Sequence, residues 1–288
     1  MPNYNKEKKI GESIASVINQ DYKDWELIIV DNHSTDNSES VIHSYLSDER
    51  IKLIKIHNGG SIGKSRNLGI RLSKYKYLAF LDSDDTWETN KLSESLEYLL
   101  KGYDFIHHFM GKDLGIQLVH KKFIKNCENI DNISPTYLLN YGNPFVTSSV
   151  VLLKDLLNSD LFFDENVELS TLEDFDLWFR LFIRPIKVKF INKSLGTRTI
   201  DLNNTTSAFA NYKALKYFFN KYRIYHPNIN CSEHLSILYH FVRSSYLLGL
   251  DDQLSLCRKL IFVNSDFSIK FKLLYMYIKL RLKNMKFE

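Results

Sequence analysis

Apolar and polar positions alternate along the N-terminal half with periods that switch between helix and strand. Ile14, Ala15, Val17 and Ile18 share one face of a helix predicted over Glu12 to Gln20. The run Glu26 to Asp31 is apolar throughout and ends in an acid, which predicts a buried strand. Asn32 to Ser38 is turn-forming and is placed to cap a helix from Glu39 to Leu46. Ile51 to Ile56 predicts a further strand. Asn58 to Gly63 is a loop leading into a helix over Lys64 to Leu72, and Tyr77 to Leu81 is a short apolar strand. Strands and helices in turn are the mark of an α/β sheet. Beyond Lys91 the pattern predicts a helix through Leu100, a strand over Asp104 to Met110, loop and short helix over Pro135 to Asn143, and a strand over Val146 to Leu153. From Asn211 onward it reads as helices. That change sets an expected boundary near Ser207, with domains at 1–207 and 208–288.

The 288 residues suffice for one large domain with an appendage, and 44% hydrophobic content places the chain among globular proteins. A net charge of +4, with no basic arm, gives no argument for a nucleic-acid partner. Cys127, Cys231 and Cys257 lie far apart without metal-ligand spacing and read as reduced packing residues, so a cytoplasmic compartment is expected. The start has no apolar segment of the signal-peptide kind, and no run reaches membrane-spanning length. The nine histidines show no metal-site pairing; His107 and His108 are expected to alternate on a strand, and Trp87 and Trp178 to be packing residues.

The chemistry gathers where apolar runs end in acids. Asp82, Ser83, Asp84 and Asp85 follow the strand at Tyr77, at the edge where open α/β sheets bind ligands. Carboxylates crowded there repel one another unless a cation joins them, and Mg²⁺ or Mn²⁺ commonly bridges one or two of them to nucleotide phosphates. A solvated acidic turn is the alternative. Glu173 and Asp174 stand before Phe175, Leu177, Trp178, Leu181 and Phe182, which have helical spacing; alone they would read as acids favoured by a helix N-terminus.

Six separated motifs then bear on identity: Pro2-Asn3-Tyr4-Asn5; Ser16-Val17 with Gln20-Asp21-Tyr22; Trp25 to Asn32 with Ser34-Thr35-Asp36; Gly63-Lys64-Ser65-Arg66-Asn67; Asp82-Ser83-Asp84-Asp85; and Glu173 to Trp178. In this order the chain resembles the family 2 glycosyltransferases of the GT-A fold over residues 2 to 207. The resemblance implies a nucleotide-sugar-binding α/β fold with a mostly parallel central sheet and, here, a C-terminal helical extension. It implies transfer of a sugar, with inversion, from a UDP-sugar or similar donor to a hydroxyl acceptor, in surface polysaccharide, lipopolysaccharide or capsule assembly. A divalent metal, Mn²⁺ or Mg²⁺, would be held by Asp84, with Asp82 a second ligand or a ribose and metal-water contact in a DXD motif beside Ser83; Asp85 would hold the loop. Asp31 and Asn32 would face the base, and Pro2 and Tyr4 would line its pocket. Lys64, Arg66 and Asn67 would open a helix toward the donor, although Lys64 equally suits a surface charge. Asp174 would be the general base and Glu173 its companion.

The chain departs from this family in two places. A hydrophobic strand normally precedes the Pro-x-Tyr-Asn motif and is missing or truncated here, so a start lying upstream or a damaged copy is expected. Arg198, which could pair with phosphate oxygens, is followed by Asp201 and Thr206-Ser207 where relatives often carry a His between an Arg and a Ser; the role of Asp201 is open. The tail Phe267 to Phe287 interleaves Lys270, Lys272, Lys279, Arg281, Lys283 and Lys286 with apolar residues. It suits peripheral contact with an anionic membrane near a lipid-linked acceptor, or packing on the catalytic domain. A nucleotidyltransferase and a catalytically impaired binding protein are the rival readings; a Gly-rich phosphate loop near the N-terminus would mark the former and is absent from the sequence.

Overall fold

The computed structural model describes residues 1–111, 135–157, 161–199 and 208–225. Cys127, Asp201, Thr206, Ser207, Cys231, Cys257 and the basic tail lie outside the described residues. The chain divides into two compact units, one of Met1–Ser134, Asn143–Val167 and Glu173–Asn203, the other of Pro135–Gly142, Glu168–Leu172 and Asn204–Glu288.

In the first unit, β1 (Pro2–Asn3), β2 (Leu27–Asp31) and β3 (Ile51–Lys55) form a parallel sheet in that order. Every residue of β2 is buried, as expected for a strand covered on both faces. Helices α1 (Ile10–Ile18) and α2 (Ser38–His43) connect these strands, and α3 (Ile62–Leu72) follows β3. α1 turns Ile10, Ile14 and Val17 into a core with Trp25, Leu27, Ile29, Ile42, Ile51, Leu81 and Trp87, so its apolar stripe fixes the helix on the sheet.

The first strand is thus present as two paired residues. Beside Met1 and Pro2 lies an apolar pocket of about 330 Å³, walled by Leu27 and Ile28 of β2, Tyr77 to Ala79, Ile70 and Leu99.

A second sheet is mixed. Its order is β4 (Tyr77–Ala79), β7 (Val151–Leu153), β6 (Phe105–Phe109) and β8 (Val188–Ser194), antiparallel at β4/β7 and β7/β6 and parallel at β6/β8. β5 (Thr86–Trp87) pairs with β9 (Gly196–Thr197), tying the segment after the acidic cluster to the chain after β8. α4 (Lys91–Leu100) packs on this sheet. The strand expected over Val146 to Leu153 is shorter, because Thr147–Ser149 forms a 3₁₀ turn before β7. Aromatic rings fill the space beneath α6 (Glu173–Leu181): Trp178 stands 5.2 Å from Phe105, 6.1 Å from Phe80 and 6.2 Å from Phe163 in edge-to-face geometry. Trp178 is a packing residue that anchors α6.

In the second unit α5 (Pro135–Tyr141) buries Leu138 and Leu139, and α7 (Ala208–Tyr225) buries Ala214, Leu215, Phe218 and Tyr222. Among the described residues no helix is long and apolar enough to cross a membrane.

Candidate functional site

The C-terminal ends of β1, β2 and β3 carry three loops stitched together by short polar side chains. Asn3 Nδ2 donates to Asp31 Oδ1 at 2.8 Å; Ser34 Oγ donates to the same oxygen at 2.6 Å, and Ser34 N to Oδ2 at 2.9 Å. Asp31 is buried, and these bonds are those of a turn-organising aspartate. Asn5 Oδ1 accepts from Thr35 N, and Asn32 Oδ1 accepts from Asn58 N at 2.9 Å. Pro2 is buried beneath these loops while Tyr4 is 52% exposed, leaving its ring available at the rim.

At the end of β4 the chain folds back, with Asp85 N donating to Asp82 O at 3.1 Å. Ser148, from the 3₁₀ turn before β7, holds this acidic loop at two points: its hydroxyl accepts from Asp82 N at 3.0 Å and donates to Asp85 Oδ2 at 2.6 Å. Asp85 Oδ1 accepts from Thr199 N, so the third acid secures the loop and joins it to the segment carrying exposed Arg198. Burial, reinforced by the charge of Asp82, pushes the Asp85 carboxyl up to about 7. Ser83 is buried, and its carbonyl accepts from Ser13 Oγ. Asp84 is partly exposed and forms a 2.6 Å ion pair with Lys6 Nζ.

Arg66 connects the motifs. Its Nη2 donates to Asp82 Oδ1 at 2.8 Å and its Nη1 to Glu173 Oε1 at 2.7 Å, with the guanidinium almost wholly buried. Burial opposes its charge, but Asp82 and Glu173 outweigh that penalty and hold its pKa above the ordinary value. Glu173 is buried and is pushed up to about 7 by desolvation, against the attraction of Arg66. Asp174 is half-buried; Asn143 Nδ2 and Thr147 Oγ1 donate to its Oδ2 at 3.1 and 3.2 Å, and Phe175 N donates to Oδ1. Desolvation raises its pKa against the pull of Arg66, and the repulsion of Asp82 adds to the rise, so the acids at 82 and 174 sense each other.

Of the residues expected to open a helix toward a ligand, Asn67 is committed elsewhere. Its Nδ2 donates to Phe163 O and Glu165 Oε1, and its Oδ1 accepts from Phe163 N, which pins the 161–165 segment. Arg66 likewise faces protein carboxylates, and Lys64 is half-buried on the first turn of α3. The pinned segment runs so close that a Cβ on Gly63 would lie 2.6 Å from Asp164 O. No local pattern marks Lys6, Asn143, Thr147 and Ser148, whose partners lie 78, 31, 27 and 63 residues away.

The chain is similar to known proteins in sequence and in fold. Residues 1–133 match the model described as Glycosyl transferase family 2. The chain is 36% identical over 138 residues to the UDP-Glc:alpha-D-GlcNAc-diphosphoundecaprenol beta-1,3-glucosyltransferase WfgD of Escherichia coli, covering 44% of this chain and 54% of that protein. It is 42% identical over 102 residues to the poly(ribitol-phosphate) beta-N-acetylglucosaminyltransferase TarP of Staphylococcus aureus, covering 34% and 31%. The chain spans about half the length of the first of these and less of the second. Among solved structures, S. aureus TarS aligns with a TM-score of 0.60 at 18% identity over 96% of this chain and 52% of that one. The mannosyltransferase PcManGT of Pyrobaculum calidifontis, solved with GDP-Man and Mn²⁺, aligns at 0.61 and 13% identity over 99% and 85%. At these identities the likeness shows the fold, which is GT-A.

Proposed function

We propose that the chain, whose residues 1–133 match the family 2 glycosyltransferase model, transfers a sugar from a nucleotide-sugar, most simply a UDP-sugar, to a hydroxyl of a glycan or lipid-linked acceptor in surface-polysaccharide assembly. The observation that supports this reading is the Arg66 bridge: one buried guanidinium holds Asp82 and Glu173, so the acidic loop and the start of α6 are tied together. The UDP-Glc in the name of WfgD, and the TarS structures in complex with UDP and UDP-GlcNAc, support the choice of nucleotide.

Asp84 and Asp82 would hold a divalent ion. Their hard oxygens fit one, and Asp84 already draws a cation, the Lys6 ammonium, to 2.6 Å. No group of three His, Cys, Asp or Glu side chains that could hold a metal gathers among the described residues; diphosphate and water would have to complete the shell. When bound, the ion supplies positive charge to the departing diphosphate. Arg66 fixes Asp82 and Glu173 against each other, and Asp85 with Ser148 holds the loop rigid. Asp174 takes the proton of the acceptor hydroxyl as that oxygen attacks the anomeric carbon opposite the leaving group; Asn143 and Thr147 orient Oδ2 for that step, and its raised pKa lies on the side that a base working near neutrality requires. Tyr4, Pro2, Asp31 and Asn32 border the space for the base, and Arg198 stands near the loop as a phosphate partner. The basic tail, outside the described residues, would add contact with an anionic membrane.

The test compares UDP binding with Mn²⁺, and UDP release from UDP-sugars, in the wild type, Asp84→Ala and Asp174→Asn. Asp84→Ala is expected to lose Mn²⁺-dependent UDP affinity, and Asp174→Asn to keep it while turnover falls at least 100-fold, a loss of the size associated with a general base. Full turnover by either variant refutes the assignment.

A further inference from the structure

The loops that follow β2 and β3 each present an imidazole to solvent, and the two rings lie on one another. His33 and His57 have centroids 3.7 Å apart and planes 7° from parallel, and both side chains are exposed. The stack is held by the backbones beneath it. Ile56 N donates to Asp31 O and Asn58 N to Asn32 Oδ1, each at 2.9 Å, so the residues flanking the two histidines are tied directly. His33 has φ of 51°, a left-handed conformation uncommon outside glycine, which the Ser34 to Asp31 bonds support. Two exposed polar rings gain little from each other in water, yet the fold holds them parallel and in contact in the loops that follow β2 and β3.

We propose that the His33–His57 stack is a platform on which the heterocyclic base of the nucleotide donor lies as a third layer. This inference rests on the donor reading above and goes beyond it by naming the residues that grip the base face. A planar heterocycle gains from an exposed aromatic face because dispersion and an offset quadrupole contact replace water on both surfaces. The neighbouring residues suit a base better than a phosphate: the same loop carries Asp31 and Asp36, which repel anions. A base layered on the imidazoles would be held by its face.

The experiment separates base from phosphate. The full chain is titrated calorimetrically, with Mn²⁺ present, with UDP, with GDP and with inorganic pyrophosphate, as the wild type, His33→Ala, His57→Ala, His57→Phe and His57→Leu. Loss of the platform is expected to weaken the preferred nucleoside diphosphate about five- to one-hundredfold in the alanine and leucine variants, leaving pyrophosphate affinity within about twofold, while phenylalanine retains binding. Unchanged nucleotide affinity in the alanine variants overturns the proposal. So does an equal fall for nucleotide and pyrophosphate, which marks the stack as a brace between loops. If an alanine variant fails to fold, the phenylalanine and leucine pair decides, since both fill the space and only one presents an aromatic face. A wild type that binds pyrophosphate but neither nucleotide refutes the donor reading itself, and the platform with it.

Discussion

Replacing Arg66 with methionine keeps most of the volume of a buried side chain and removes the charge on which the site is built. The cost falls mainly on Glu173, whose side chain is 9% exposed, while Asp82 at 32% retains solvent to screen it. Breaking a buried pair by removing one partner costs about 3–5 kcal/mol, because the remaining charge is desolvated and uncompensated. Protonation offers Glu173 an escape, which makes the loss depend on pH. Its folded pKa is raised from 4.5 to about 7, so between those values the folded state binds more protons than the unfolded state, and stability falls as pH rises. At about 1.4 kcal/mol per pH unit this drain amounts to about 3 kcal/mol in the wild type. Without Arg66 the folded pKa climbs further and the drain continues above pH 7. Urea unfolding with an unchanged m-value should therefore show Arg66→Met destabilised at pH 5.5 and more so at pH 8, by up to about 1.4 kcal/mol in addition. The double variant Arg66→Met/Glu173→Met should recover much of the loss, since an apolar pair leaves no buried charge. A loss below about 1 kcal/mol that does not change with pH would refute this account of the bridge.

Lys6→Met should tighten binding of Mn²⁺ alone up to about fivefold, the scale of a partly exposed ion pair, because the ammonium no longer competes for Asp84; weaker binding by calorimetry or electron paramagnetic resonance contradicts that role. Gly63→Ala should lower stability by about 1–3 kcal/mol as the new methyl meets Asp164 O, and an unchanged melting temperature would show that the 163–164 segment yields freely. Lys91 is fully buried with no hydrogen-bond partner for Nζ among the described residues, and desolvation holds its pKa well below the ordinary 10.5. The unfolded state therefore binds more protons below pH 10.5 and stability rises with pH toward that value, so Lys91→Met should raise the melting temperature at pH 7; a fall of several degrees would assign the stabilising role to the 3.6 Å contact of Nζ with the Trp87 ring.

How much was legible before the structure depends on whether a residue's partners are local. α4 was bounded correctly at Lys91 and Leu100, and β2 was readable because an unbroken apolar run suits a strand buried on both faces. β8 and β9 escaped notice because Val188–Ser194 mixes lysine and asparagine with its apolar residues, and a two-residue strand has no periodicity. α1 and α3 begin two residues earlier than their apolar stripes suggested, since helix ends follow backbone bonding. At the site, Asp82, Asp84, Glu173 and Asp174 stood out as acids beside apolar runs. Asn67 did not behave as its place on α3 suggested, because the loop that occupies its amide arrives from nearly a hundred residues away. Arg66 was singled out for a ligand, and its bond to Glu173 across 107 residues is a tertiary fact that no local pattern encodes.

The apolar pocket beside β1 has a mechanical corollary. Along it Leu27, Ile28, Leu78 and Leu99 face unfilled space, and side chains that lack neighbours on one side forfeit dispersion contact there. The seam between the three-stranded sheet and the mixed one should therefore yield before the ring-filled layer under α6.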